Sequence, residues 1–112
     1  MKKIEAIIRS HKLEEVKTAI LSRGVIGMTI SELRQFGRQK GLEEQYRGVV
    51  YSVDFQSRLK VEVVVNDDQL SPIIDALVNS AQTGEVGDGK IFISSVSEIV
   101  RIRTGETNLE AI

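Results

Sequence analysis

The 112-residue sequence predicts an α+β domain in which one sheet carries two helices on a single face. Three observations predict it. The order strand, helix, strand occurs twice; the helical stretches repeat their apolar residues every three or four positions while a strand stretch alternates; and the length suits one core and not two. A chain of this size buries roughly 65% of the surface its unfolded form exposes, enough for a core without disulfides or metals.

The elements follow in order. Lys3 to Arg9 is rich in isoleucine and bounded by polar residues, which fits a buried strand. Leu13, Val16, Ala19 and Ile20 mark one face of a helix, with Ser10 as its expected N-cap, Glu14 and Glu15 near its start and Gly24 just past its end. Met28 to Phe36 reads as a strand with a wet face or end at Glu32 and Arg34. Leu59, Val61, Val63 and Val65 alternate with Lys60, Glu62 and Val64, a strand with one buried face. Leu70, Ile73, Ile74, Leu77, Val78 and Ala81 make the second helix, with Pro72 read as a tolerated first-turn proline. A glycine-rich turn then leads into Ile91-Phe92-Ile93, and Ile99 to Arg103 reads as a last extended piece. Two such halves cross over right-handedly and close as a ferredoxin-like sheet, whose second face needs cover from a ligand or another subunit.

Composition narrows the chemistry. No cysteine means no disulfide framework, no thiolate metal site and no cysteine nucleophile, and one histidine leaves little for a zinc site or a His-based triad. The early interruption of the apolar run after Met1-Lys2-Lys3 argues against a signal peptide, and no 18-residue apolar stretch exists. A soluble protein of a reducing compartment is expected. A net charge of −1 argues against a generic nucleic-acid binder.

Residues 37 to 58 interrupt the pattern with 22 residues of little apolar periodicity. Loops of that length inside compact domains are usually functional or disordered. Arg38, Lys40, Arg47 and Arg58 against Glu43, Glu44 and Asp54 suit a contact arm. Tyr46 and Tyr51 in this stretch are contact or modification candidates, or pack the hairpin against itself.

Gly84-Glu85-Val86-Gly87-Asp88-Gly89-Lys90 has the letters of a phosphate-binding P-loop but lacks the following Ser or Thr, and a strand rather than a helix comes next. Closely spaced glycines before a lysine can still form a nest of N–H groups for an anion, or merely a tight turn. Arg101 and Arg103, two apart on an extended segment, would project both guanidinium groups from one face toward phosphate oxygens. With Lys90 and Arg38-Gln39-Lys40 they favour a nucleotide-sized anion site. His11, at the first helix start, reads as solvated or capping.

The runs Gly37-Arg38-Gln39-Lys40-Gly41, Tyr46-Arg47-Gly48-Val49-Val50-Tyr51, Thr83 to Phe92 and Arg101 to Glu106 closely resemble the PII nitrogen-regulatory signal proteins, and the similarity spans Met1 to Ile112. It looks closest to the cyanobacterial and red algal plastid branch. The resemblance implies a homotrimer of ferredoxin-like subunits that is not an enzyme and resides in the cytoplasm, or the stroma if plastid-encoded. It implies a T-loop at 37–55, a B-loop at 82–90 and a C-terminal segment at 102–112. It implies binding of ATP or ADP between subunits, and of 2-oxoglutarate with Mg²⁺ and ATP at the T-loop base. Carried over residue by residue, the nucleotide would meet Thr29, Gly37, Arg38, Lys40, Glu62, Gly87, Asp88, Gly89, Lys90, Arg101 and Arg103. Gln39, Lys40, Gly41, Arg58 and Gly87 would meet 2-oxoglutarate, and Gln39 would supply an oxygen to Mg²⁺. Glu44, Tyr46, Arg47, Val49 and Tyr51 would touch partner proteins, and Tyr51 matches a tyrosine that many bacterial members have modified. Family partners include N-acetylglutamate kinase, a transcriptional coactivator and its regulator, ammonium transporters and acetyl-CoA carboxylase.

The sequence departs from the family pattern at Val49, where many cyanobacterial relatives carry a phosphorylated serine, and at Arg58, where a lysine is usual. Gln35 replaces a glycine, Ser10-His11 a Pro-Phe pair, Gln82 an arginine and Ser95 a proline. A divergent member with altered 2-oxoglutarate response is therefore the alternative. A weak ATPase and an RNA-binding module of the same fold are the readings from other classes. Residues 37–58 and 90–103 together carry a balance of +3 in a chain totalling −1, so a basic site sits on an acidic body.

Overall fold

The computed structural model describes residues 1–36 and 55–112. Among these, β1 (Lys2–Arg9), α1 (Leu13–Leu21), β2 (Thr29–Phe36), β3 (Phe55–Val65), α2 (Asp67–Ala81) and β4 (Lys90–Ser95) follow the expected order. The sheet order is β2-β3-β1-β4, with each neighbouring pair antiparallel. Each strand-helix-strand half is therefore split: β3 inserts between β1 and β2, and β1 between β3 and β4. This is the ferredoxin-like arrangement.

Alternation along the central strands selects the core. Ile4, Ala6 and Ile8 of β1 and Leu59, Val61, Val63 and Val65 of β3 are buried on one face, where Val16 and Ile20 of α1 and Ile73 and Leu77 of α2 cover them. Burying each of the larger side chains stabilises the fold by roughly 1.5–3 kcal/mol. The isoleucine-rich first strand is consequently not buried on both sides: Lys3, Glu5, Ile7 and Arg9 point to the other face and are half-buried. That face carries its own ion pairs, Lys3 to Glu5 at 3.1 Å, Lys3 to Glu62 at 3.3 Å and Lys60 to Glu62 at 3.1 Å.

Helix boundaries correct two expectations. Ser10 does not cap α1, because Ser10–Lys12 form one 3₁₀ turn and the helix starts at Leu13 with no side-chain cap. Pro72 is not in the first turn but at the sixth position of α2, which begins at Asp67. The missing N–H would have served Asp68; both residues are exposed, so water can take that carbonyl. The start of α2 is fixed instead by a reciprocal capping box, the Gln69 N–H donating to Asn66 Oδ1 at 3.0 Å and the Asn66 N–H to Gln69 Oε1 at 3.1 Å.

Two further boundaries move. Phe55 to Arg58 continue β3 rather than ending the long insertion, because Phe36 and Phe55 are register partners and their rings pack 6.1 Å apart. Ile99 to Arg103 is not one extended piece. Val100 bridges Thr107, and the chain reverses between them, the Gly105 N–H donating to the Arg101 carbonyl at 2.8 Å. Gly105 has φ +75°, which a glycine adopts without strain.

Candidate functional site

One cluster forms at the end of the sheet where β1 finishes and β4 begins. β1 pairs with β4 through Ile7 and Lys90 and with β3 through Arg9 and Arg58, and Arg9 and Arg58 both reach the turn that Lys90 follows. Gly87 and Gly89 have φ +100° and +115°. A β carbon on Gly89 would collide with the Ile7 carbonyl, and one on Gly87 would lie 3.3 Å from Arg9 Nη2 and 3.4 Å from Arg58 Nη2. The glycines thus admit the strand backbone on one side and two guanidinium groups on the other.

The turn is held from within by Asp88. Its Oδ2 accepts from the N–H groups of Thr83 and Gly84, each at 2.9 Å, and its Oδ1 accepts from the Thr83 hydroxyl and from Arg9 Nε at 3.1 Å. Arg9 Nη2 also donates to the Val86 carbonyl at 2.9 Å. The Thr83 hydroxyl, then its backbone N–H, followed by Arg9 and Gly84, hold the Asp88 carboxyl well below the usual carboxylate range. The nest expected for an outside anion is therefore in part filled by the chain's own carboxylate.

Arg58 is engaged as well. It donates from Nη2 to Gln56 Oε1 at 2.5 Å and to the Gly87 carbonyl at 3.4 Å, and from Nη1 to the Ser57 carbonyl at 3.0 Å. Its Nε is buried and has no hydrogen-bond partner among the described residues.

A second cluster lies toward the β2 edge. A groove of about 520 Å³ is lined by Lys3, Gly27, Met28, Thr29, Glu62 and Arg101 among others. Thr29 and Glu62 are direct register partners. Hydrogen bonds from Lys60 and then Lys3 lower the Glu62 pKa, and Glu5 and Glu62 raise that of Lys3. Arg101 pairs with Glu106 at 3.3 Å and donates to the Ile112 carbonyl at 3.4 Å. Arg103 stands exposed in the turn after Arg101, so the two arginines do not share one face of a strand.

The expected site residues are thus divided. Gly87, Asp88, Gly89, Lys90 and Arg58 assemble at one end of the sheet, and Thr29, Glu62 and Arg101 at the groove toward the other end. Arg58 and Glu62 lie four residues apart on β3, about 13 Å along the strand. Gly37, Arg38, Gln39, Lys40, Gly41, Glu44, Tyr46, Arg47, Val49 and Tyr51 lie outside the described residues. No motif or spacing in the sequence marks Arg9, Gln56 or Lys3, whereas Thr83 opens one of the family runs. Only the strand register brings Arg9 beside a turn 77 to 79 residues away. Among the described residues no group of three or more His, Asp or Glu side chains is placed to hold a metal ion, and His11 is exposed.

An antiparallel four-stranded sheet with both helices on one face makes this an α+β domain of the ferredoxin-like class, carrying a glycine turn clasped by arginines and a separate mixed-charge groove. The family model described as Nitrogen regulatory protein P-II matches residues 1–106. Relatives bearing that name include one from Nostoc punctiforme, 58% identical over 112 residues, and one from Pyropia yezoensis, 49% identical over 112 residues, each alignment covering 100% of both chains. The crystal structure of Arabidopsis thaliana PII bound to citrate superposes with a TM-score of 0.79 at 37% identity, covering 99% of this chain and 91% of that one. The chain belongs to the PII family of nitrogen-regulatory proteins, whose members regulate rather than catalyse.

Proposed function

We propose that this chain reports nitrogen, carbon and energy status by binding ATP or ADP and, with Mg²⁺ and ATP, 2-oxoglutarate, and that it controls partner proteins through residues 37–55. The observation that carries this reading is the turn at Gly87 to Lys90, where two guanidinium groups meet a glycine backbone and Lys90 follows at once. Such a donor set fits phosphate and carboxylate oxygens. Lys90 and the glycine backbone would take phosphates, and Thr29 and Glu62 would lie near the base. Mg²⁺ would arrive with the nucleotide, most of its ligands being phosphate oxygens and water, with Gln39 as the protein ligand.

The two half-sites support a homotrimer. A closed ring needs two different surfaces on each subunit, one for each neighbour. Here one end of the sheet offers Lys90 and the other Arg101 and Arg103, so a neighbour's groove completes the site that this chain's turn begins. Ligand-dependent arm shapes then select partners by population shift. The partner class is that of the family, with N-acetylglutamate kinase, a transcriptional coactivator, an ammonium transporter and acetyl-CoA carboxylase as candidates, in the cytoplasm or the stroma. No described helix is long and apolar enough to cross a membrane.

Arg58 favours the second reading, a member with altered 2-oxoglutarate response. Its guanidinium already donates to Gln56, Ser57 and Gly87, so an incoming carboxylate meets a side chain whose Nη2 is committed and whose remaining Nε is buried. Calorimetric titration of 2-oxoglutarate with and without Mg·ATP tests both readings. ATP-dependent heat is expected; nucleotide binding without it leaves the second reading standing, and no nucleotide binding sinks both.

A further inference from the structure

Arg9 ends β1 on the sheet face opposite the helices, and its side chain spans two features of the turn at once. Nε meets Asp88 Oδ1 at 3.1 Å and Nη2 meets the Val86 carbonyl at 2.9 Å. Asp88 in turn gathers the N–H groups of Thr83 and Gly84 and the Thr83 hydroxyl. The backbone between Thr83 and Gly89 contains three glycines at positive φ and has little intrinsic preference for one shape. What selects the shape is this single carboxylate and the guanidinium anchored to the strand.

We infer that Arg9 is a positioning residue for the anion-binding turn, tying Asp88 and the Val86 carbonyl to the sheet so that Gly87, Gly89 and Lys90 present one fixed surface. Three features carry this. Arg9 is half-buried and its backbone is paired with Arg58 of β3, two residues beyond the last β1–β4 pair at Ile7 and Lys90, so its base belongs to the sheet and not to the turn. Its Nη2 lies 3.3 Å from where a β carbon on Gly87 would stand, so it occupies the space that only a glycine leaves open. Every described hydrogen bond from its guanidinium goes to the turn, and none to a neighbour in β3. Preorganisation of this sort strengthens binding by removing the entropy cost of ordering the loop.

The inference rests on the nucleotide-binding reading for what the turn holds, and the test separates the two. Mg·ATP affinity is measured by calorimetry on the full chain for the wild type, Arg9→Met, Arg9→Lys, Asp88→Asn and the Arg9→Met/Asp88→Asn double variant. Amide exchange at Thr83 and Gly84 is read alongside. Arg9→Met should weaken Mg·ATP binding about tenfold and Arg9→Lys less, because an ammonium can pair with Asp88 but cannot also fork to the Val86 carbonyl. The double variant should bind no more weakly than the worse single one, since both cut the same clasp. Protection of the Thr83 and Gly84 amides should fall in step. Unchanged affinity in Arg9→Met overturns the inference; so does weakened affinity with amide protection intact, which would make Arg9 a direct ligand. A wild type that binds no Mg·ATP refutes the nucleotide reading instead, and retained amide protection in Arg9→Met then refutes the clasp by itself.

Discussion

Gly89 rests directly on the carbonyl of Ile7, so closely that a β carbon on the glycine would overlap the carbonyl oxygen. The contact fixes where the turn meets the sheet. Ile7 belongs to a central strand bonded on both sides, so the carbonyl cannot retreat. Gly89 also holds φ +115°, a conformation that other residues reach only under strain.

Gly89→Ala should therefore cost roughly 3 kcal/mol or more, combining backbone strain with a collision against backbone. Gly84→Ala is the matched comparison: Gly84 also has positive φ, +89°, but nothing lies within 4 Å of its would-be β carbon. Strain of about 1–2 kcal/mol is expected there. Urea unfolding of the two variants decides, and equal losses would show that the Ile7 contact contributes nothing.

The Asp88 carboxyl is held below its ordinary range by Thr83 first and by Arg9 and Gly84 in addition. A depressed pKa gives stability that is present above the unfolded value, ~3.9, and lost as pH falls toward the folded one. Below about pH 4 the unfolded chain takes up a proton at Asp88 that the folded chain does not. The wild type should accordingly exceed Asp88→Asn in stability near neutral pH, with the gap narrowing from about pH 4 downward. Urea midpoints between about pH 2 and pH 6 follow this, and a gap independent of pH would contradict it.

The proposed sharing of the nucleotide site between neighbouring subunits gives a complementation experiment. Lys90→Ala and Arg103→Ala should each weaken ATP binding about tenfold or more, the usual loss for a charge-assisted contact to phosphate. In a ring of three, a mixed assembly contains one interface with wild-type Lys90 facing wild-type Arg103. Co-refolding the two variants should therefore restore a fraction of tight sites that neither shows by itself. Absence of recovery in verified mixed trimers would place Lys90 and Arg103 in one subunit's site.

What could be read from the sequence is what local pattern controls. The strand at Leu59 to Val65, the helix at Leu70 to Ala81 and the glycine turn before Ile91 each follow from a period or a residue preference confined to a few neighbours. The family motifs carried the membership for the same reason: they are short runs at fixed spacing. The boundaries that move are set by capping and turn hydrogen bonds, which residue periodicity does not report. Pro72 falls inside α2 because the Asn66–Gln69 box starts the helix earlier than the apolar stripe does. Arg101 and Arg103 part company because Gly105 lets the chain turn back on Arg101.

The sequence by itself determined the order of strands and helices, the family and the residue types of the proposed anion site. Tertiary structure alone decided that Arg9 clasps Asp88, that Arg58 is already engaged, and that Lys90 and Thr29 stand at opposite edges of one sheet. The reason is physical. Periodicity says which face of a strand is buried, but strand order and register are fixed only when β3 pairs between β1 and β2, and register is what brings side chains from remote segments into contact.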